Sequence, residues 1–307
     1  SFMDDDGINV GQRVPMKVRV EVKGDRMTVD LSDVSKQVQG FYNSGITAGR
    51  SCCQVAFKCL TSPLDLPIND GAFRALDIVL PPGKVVSAMR PAPMQRWMTY
   101  PMTIIDTVAD RHYGDRVRMA MAFAELLNQE ALALQADGVD IIQFDEPAFN
   151  VYLDEAADWG VKALERAAQG LTCTTAVHIC YGYGIEANKN WKKTLGDEWR
   201  QYEKVFPALA KSRIDQVSLE CMHSHVPMDL IGLLKGKDVM VGVIDVASDQ
   251  VETPEEVADT IGRALQFVAK DRLFPCTNCG MAPMQRDIAL RKLEALVKGA
   301  ALAKHSL

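Results

Sequence analysis

The chain has 307 residues, 48% of them hydrophobic, enough to bury the core of one large barrel-type domain or two smaller ones. A formal net charge of −6 gives no long-range attraction to nucleic acid or to an anionic membrane surface. No apolar run approaches the roughly 18 residues of a membrane span, and the acidic opening SFMDDDG lacks the basic and apolar regions of a signal peptide, so a cytoplasmic, reducing setting is expected.

The first hundred residues read as β-rich. Val18, Val20 and Val22 alternate with polar residues, and after Gly24-Asp25 the alternation resumes at Met27, Val29 and Leu31, the pattern of a β-hairpin. Short apolar stretches at Leu76–Leu80 and Val85–Met89 are split by the turn Pro81-Pro82-Gly83. Helical periodicity is confined to a stretch near Gly45–Leu60.

From about residue 101 onward helices and strands alternate. A long helix fits Arg116–Ala136, followed by a compact buried strand at Val139–Phe144. A helix near Glu155–Ala168 leads to the strand Thr174–Ile179, and one near Glu198–Ala210 leads to Ile214–Leu219. A short helix near Met228–Leu234 precedes the strand Val239–Ile244. Pro254–Val268 is helical, with Thr253 as N-cap and Glu256 completing a capping box. The strand Leu273–Pro275 and a helix near Arg286–Leu302 follow.

Short apolar strands alternating with helices predict parallel βαβ units. Chemically able residues stand at the strand ends: Asp145-Glu146, His178 and Cys180, Glu220, Asp245, Cys276 and Cys279. In a (β/α)-barrel those ends form the catalytic face, and no GxGxxG follows a strand to favour the rival dinucleotide-binding sheet. The expected fold is α/β, resembling a (β/α)8 TIM barrel but incomplete. About five βα units are legible where closure takes eight strands, and a β-rich segment over 1–100 precedes the barrel portion over 101–307.

Eight cysteines in a chain of this length do not make a disulfide scaffold. His178-x-Cys180 puts two ligands at alternate positions at a strand end, where side chains two apart share a face. Glu220 adds a carboxylate from the next strand and Cys279 a thiolate from the last, and N, S and O donors in that mixture suit Zn2+. Cys276-x-x-Cys279 also reads as a metal-binding or redox pair, and Cys276 equally as a packed thiol beside the site. Zinc with thiolate ligands points to holding and deprotonating a substrate thiol. Asp145, at a strand end before Glu146-Pro147, reads as the partner of a substrate ammonium group, or as a helix cap or loop ion-pair acid. His223 and His225 read as loop histidines.

QFDEPAF (Gln143–Phe149), HICYGYG (His178–Gly184), SLECMHSH (Ser218–His225), GVIDVAS (Gly242–Ser248) and CTNCGM (Cys276–Met281) resemble the C-terminal barrel of cobalamin-independent methionine synthase. The likeness is to short, single-barrel bacterial forms and runs from Pro101 to the last residue. It implies zinc-dependent transfer of a methyl group to the homocysteine thiol, from a donor the sequence does not identify. It implies His178, Cys180, Glu220 and Cys279 as zinc ligands, and Asp145 as the acid that binds the homocysteine amino group. The long enzymes carry a proton-donating His after an Asp-Ile pair. Here that position is Ala247, so the role is absent or falls to another group.

The stretch from about Asp4 to Thr103, with DDDGINVG and RPAPMQRWMTYPMT, resembles part of the hydantoinase B and acetone carboxylase alpha-subunit family. That likeness implies two alternative activities: a hydantoinase-like amide-ring hydrolase fragment, or a fused chain that binds zinc with weak catalysis.

Overall fold

The structure, a computed structural model, describes residues 1–61, 69–94, 97–182, 190–282 and 284–305, so Tyr183 and Gly184 of the HICYGYG motif lie outside it. The chain forms two compact units, Ser1–Met119 and Ala120–Leu307.

In the first unit a short pair, β1 (Phe2–Met3) and β2 (Val14–Pro15), precedes the expected hairpin of β3 (Arg19–Lys23) and β4 (Arg26–Asp30). Gly24 supplies the positive φ of 60° that its turn requires. Only β4 is amphipathic: Met27 and Val29 are buried, whereas all of β3 is exposed. The helix α1 (Ile46–Thr61) falls where periodicity placed it.

Two features of this unit depart from the hairpin reading. β5 (Leu76–Val79) joins β4 in parallel, because α1 serves as the crossover that parallel neighbours need. Val85 and Val86 lie buried in a loop instead of a strand, held by hydrogen bonds from Val85 to Ser35 and from Ser44 to Val85. A second helix, α2 (Thr99–Tyr113), was not anticipated. Pro101 sits in its first turn, where a missing N–H costs nothing. Its Tyr100, Ile104 and Ile105 pack into the same core as Met16, Leu31 and Cys53.

In the second unit the helix α3 (Arg116–Ala136), which begins in the first, ends before β6 (Ile141–Asp145). Then come α4 (Val161–Ala167), β7 (Thr174–His178), α5 (Tyr202–Lys211), β8 (Gln216–Glu220) and β9 (Asp238–Ile244). The series ends with α6 (Pro254–Ala264), β10 (Leu273–Thr277) and α7 (Arg286–His305). The predicted capping box is present: Thr253 Oγ1 accepts from Glu256 N–H, and Glu256 accepts from Thr253 N–H at 2.7 Å.

β6 to β10 form one five-stranded parallel sheet in chain order, the topology of an arc of a (β/α)-barrel. Its core gathers Val177, Val217, Leu219, Val239, Val241 and Val243 from the three inner strands. In register, Asp145 pairs with His178, and both Glu220 and Cys276 pair with Gly242, so the chemically able residues come to one end of the sheet.

Candidate metal centre

The site begins with β7, whose last residue is His178 and whose continuation carries Cys180. The third member, Cys279, arrives from the loop after β10. One ligand atom from each of His178, Cys180 and Cys279 lies within 4.8 Å of the others, and the two sulfurs are 3.4 Å apart. Three of the four sequence-predicted ligands are thus brought together, and Glu220 is not among them.

The loop that delivers Cys279 is fixed by Asn278. The pairing of β10 with β9 shifts between Cys276 and Thr277, and beyond that shift Asn278 turns inward and is buried. Its backbone N–H bonds to Ile244 O, its Nδ2 donates to Met222 O at 2.8 Å, and its Oδ1 accepts from Cys221 N–H. Gly242 makes room for it, since a Cβ there would run into Asn278 Oδ1. The sequence marked both flanking cysteines but gave no sign that the residue between them is the latch.

The ionisable groups of the cluster shift one another. The Cys279 thiol is pushed down to about 4, by the hydrogen bond with Cys180 first and by His178 beside it. The Cys180 thiol is pushed up correspondingly, by Cys279 and by burial. Burial pulls His178 down, but Cys279, Asp145 and Glu220 outweigh it and leave the imidazole more basic than usual. Its Nδ1 is 3.0 Å from Ser218 Oγ, while Nε2 is buried without a hydrogen-bond partner. An orphaned imidazole nitrogen beside two thiols fits a soft or borderline cation such as Zn2+.

Glu220 is not in the three-residue cluster. It is 2% exposed at the end of β8, and its Oε1 accepts from the N–H of Tyr181, the neighbour of Cys180, at 2.8 Å. It lies close enough to act on His178, Cys180 and Tyr181. Asp145 ends β6 in solvent, with Oδ1 accepting from Gln143 Nε2 at 2.8 Å. Cys276 stands apart from the cluster; desolvation pushes its thiol up to about 12, as suits a packed neutral thiol.

Sequence reasoning missed several neighbours. Tyr181 stacks on Trp191, tilts against Trp199 and meets Tyr202 edge-on, making an aromatic wall beside the cluster. Lys192 follows in this wall; burial lowers its amine pKa, opposed by Glu220, Cys180, Cys279 and Asp245. A lysine so far along the chain from Glu220 carries no spacing signal. His225 is the loop histidine expected, its Nδ1 3.0 Å from Asp197 O. His223 is less ordinary: it adopts φ 51°, and its Nδ1 lies 3.6 Å from Asp245 Oδ2.

A parallel β/α sheet that gathers an imidazole and two thiols at the C-terminal ends of its strands is a barrel-like scaffold carrying a cluster able to hold a metal ion. The family described as cobalamin-independent synthase, catalytic domain, matches residues 54–302, and the chain belongs to it. A methionine synthase of Saccharolobus islandicus is 29% identical over 212 residues, covering 68% of this chain and 58% of its own length. One from Sulfurisphaera tokodaii is 28% identical over 211 residues, which is 56% of its length. The chain thus spans little more than half of these curated relatives. A solved B12-independent methionine synthase from Shewanella sp. W3-18-1, in complex with selenomethionine, is 47% identical with a TM-score of 0.64. That likeness covers 94% of this chain and 75% of the Shewanella chain.

These comparisons correct one expectation. The likeness of residues 4–103 to hydantoinase B finds no support, since the family match begins at residue 54, inside that stretch, and the Shewanella likeness takes in nearly the whole chain. Short alternating strands with Gly and Pro turns recur in many β-containing segments and do not specify a parent. Among the described residues no helix is long and apolar enough to cross a membrane.

Proposed function

We propose that this chain carries the zinc-dependent methyltransferase chemistry of its family, methylating the thiol of homocysteine to give methionine in the cytoplasm. The observation that carries the reading is the convergence of His178, Cys180 and Cys279 within 4.8 Å in a chain of this family. His178 Nε2 and the two sulfurs would hold the metal, with Glu220 supplying the fourth ligand from the end of β8. Bound there, Zn2+ acts as a Lewis acid that favours the thiolate form of a substrate sulfur near neutral pH.

The chain's own groups do the rest. Asp145, one strand across from His178 in the register, accepts the homocysteine ammonium. The wall of Tyr181, Trp191 and Trp199 limits water on one side of the reacting sulfur. That sulfur attacks the methyl carbon of the donor, the carbon–donor bond breaks, and its electron pair leaves with the donor. The product of such a transfer is methionine, and the Shewanella relative was solved in complex with selenomethionine, the selenium counterpart of that product.

X-ray absorption at the zinc edge tests this reading. Homocysteine should add one sulfur neighbour, and calorimetry in buffers of different ionisation enthalpy should show about one proton released. A coordination shell unchanged by homocysteine would overturn the proposal.

A further inference from the structure

The residue that decides which imidazole nitrogen of His178 is free lies on the neighbouring strand. Ser218, in the middle of β8, is 3% exposed, and the whole strand around it is buried. Its Oγ accepts from the Ile179 N–H at 2.9 Å, lies 3.0 Å from His178 Nδ1, and is 3.5 Å from Ile179 O. A hydroxyl has one proton and two acceptor sites. The Ile179 N–H takes one acceptor site, leaving one acceptor site and the proton to be shared between Nδ1 and the Ile179 carbonyl.

We propose that Ser218 is a positioning residue for metal binding, accepting the Nδ1–H of His178 so that Nε2 presents a bare lone pair to the cation. The inference rests on the reading of His178, Cys180 and Cys279 as the metal site. In this arrangement the serine proton goes to Ile179 O, which also accepts from Tyr202 Oη at 3.1 Å and has two lone pairs to offer. The opposite arrangement, with the serine proton on Nδ1, would leave Nε2–H as a donor inside a site made to receive a cation. Ring orientation is fixed by the same contact, because Ser218 is tied to the backbone of the residue that follows His178. Partners of this kind on the outer nitrogen typically change metal affinity by 10–100-fold.

The test uses the whole chain loaded with cadmium-113 and with zinc. In the parent protein, nitrogen-15 spectra of the cadmium form should show the metal coupled to Nε2 of His178, with a proton retained on Nδ1. Coupling to Nδ1 would overturn the proposal without any substitution having been made. By chelator competition, Ser218→Ala should bind zinc 10–100-fold more weakly, and Ser218→Thr, which keeps the hydroxyl and suits a strand, should recover most of the loss. Parent-like affinity in Ser218→Ala would remove the assignment while leaving the metal site standing. A parent chain that takes up neither metal would remove the metal reading and this inference together.

Discussion

Strands β6 and β8 both end in a carboxylate, in opposite settings. Every residue of β8 is buried and Glu220 is 2% exposed. On β6 only Ile142 is buried, while Ile141, Gln143 and Asp145 face solvent. The cause is position in the sheet: β8 is flanked by β7 and β9, whereas among the described residues β6 is an outer strand paired only with β7. Inner strands fix their terminal groups from both sides, which suits ligands that must hold a rigid geometry. An outer strand leaves its terminal acid, Asp145, exposed to solvent.

The contrast can be broken most strongly through charge. Behind the end of β9, Lys292 of α7 is fully buried against Glu252 at 3.0 Å and also donates to Asp245 O. Glu252 accepts in turn from Asp245 N–H at 2.8 Å. Lys292→Met should cost about 3–5 kcal/mol, because it strands a buried carboxylate. Denaturant unfolding measures this, and a cost below 1 kcal/mol would mean that the pair is hydrated in solution. Next in size, Leu219→Ala in β8, 1% exposed, should lose about 2–5 kcal/mol. Ile141→Ala on the outer strand, 52% exposed, should stay within about 0.5 kcal/mol. Equal losses would show that β6 is as enclosed as β8. The smallest effect is expected at Asp145, where Asp145→Asn should weaken homocysteine binding by about 0.2–1 kcal/mol, the worth of an exposed ion pair. Zinc content should be unchanged. A loss of several kcal/mol would show that substrate binding closes this edge from water.

Much of the second unit was legible because its signals are local. Apolar runs bounded by polar ends mark β6 to β10, and Thr253 with Glu256 marks the start of α6 before any tertiary contact exists. His178, Cys180 and Cys279 stood out because soft ligands at strand ends are uncommon. The residues that support them did not, since Ser218, Asn278 and Lys292 act through partners distant in sequence. Nothing in the spacing of a serine on a buried strand says that a histidine lies across from it. In the first unit β5 was placed but its direction was not, because strand order depends on α1 crossing over. The α2 helix carried a usable signal in Tyr100, Ile104, Ile105 and Val108, which fall on one helical face, and Pro101 masked it.

His178, Cys180 and Cys279 are expected to hold one metal ion, with Cys276 outside its ligand set. Metal analysis of the purified chain and three variants tests it directly. The parent and Cys276→Ser should each carry about one zinc per chain, while Cys180→Ser and Cys279→Ser should have lost it with their folds intact by circular dichroism. Full zinc in Cys279→Ser, with loss in Cys276→Ser, would give the ligand role to Cys276 and overturn the assignment.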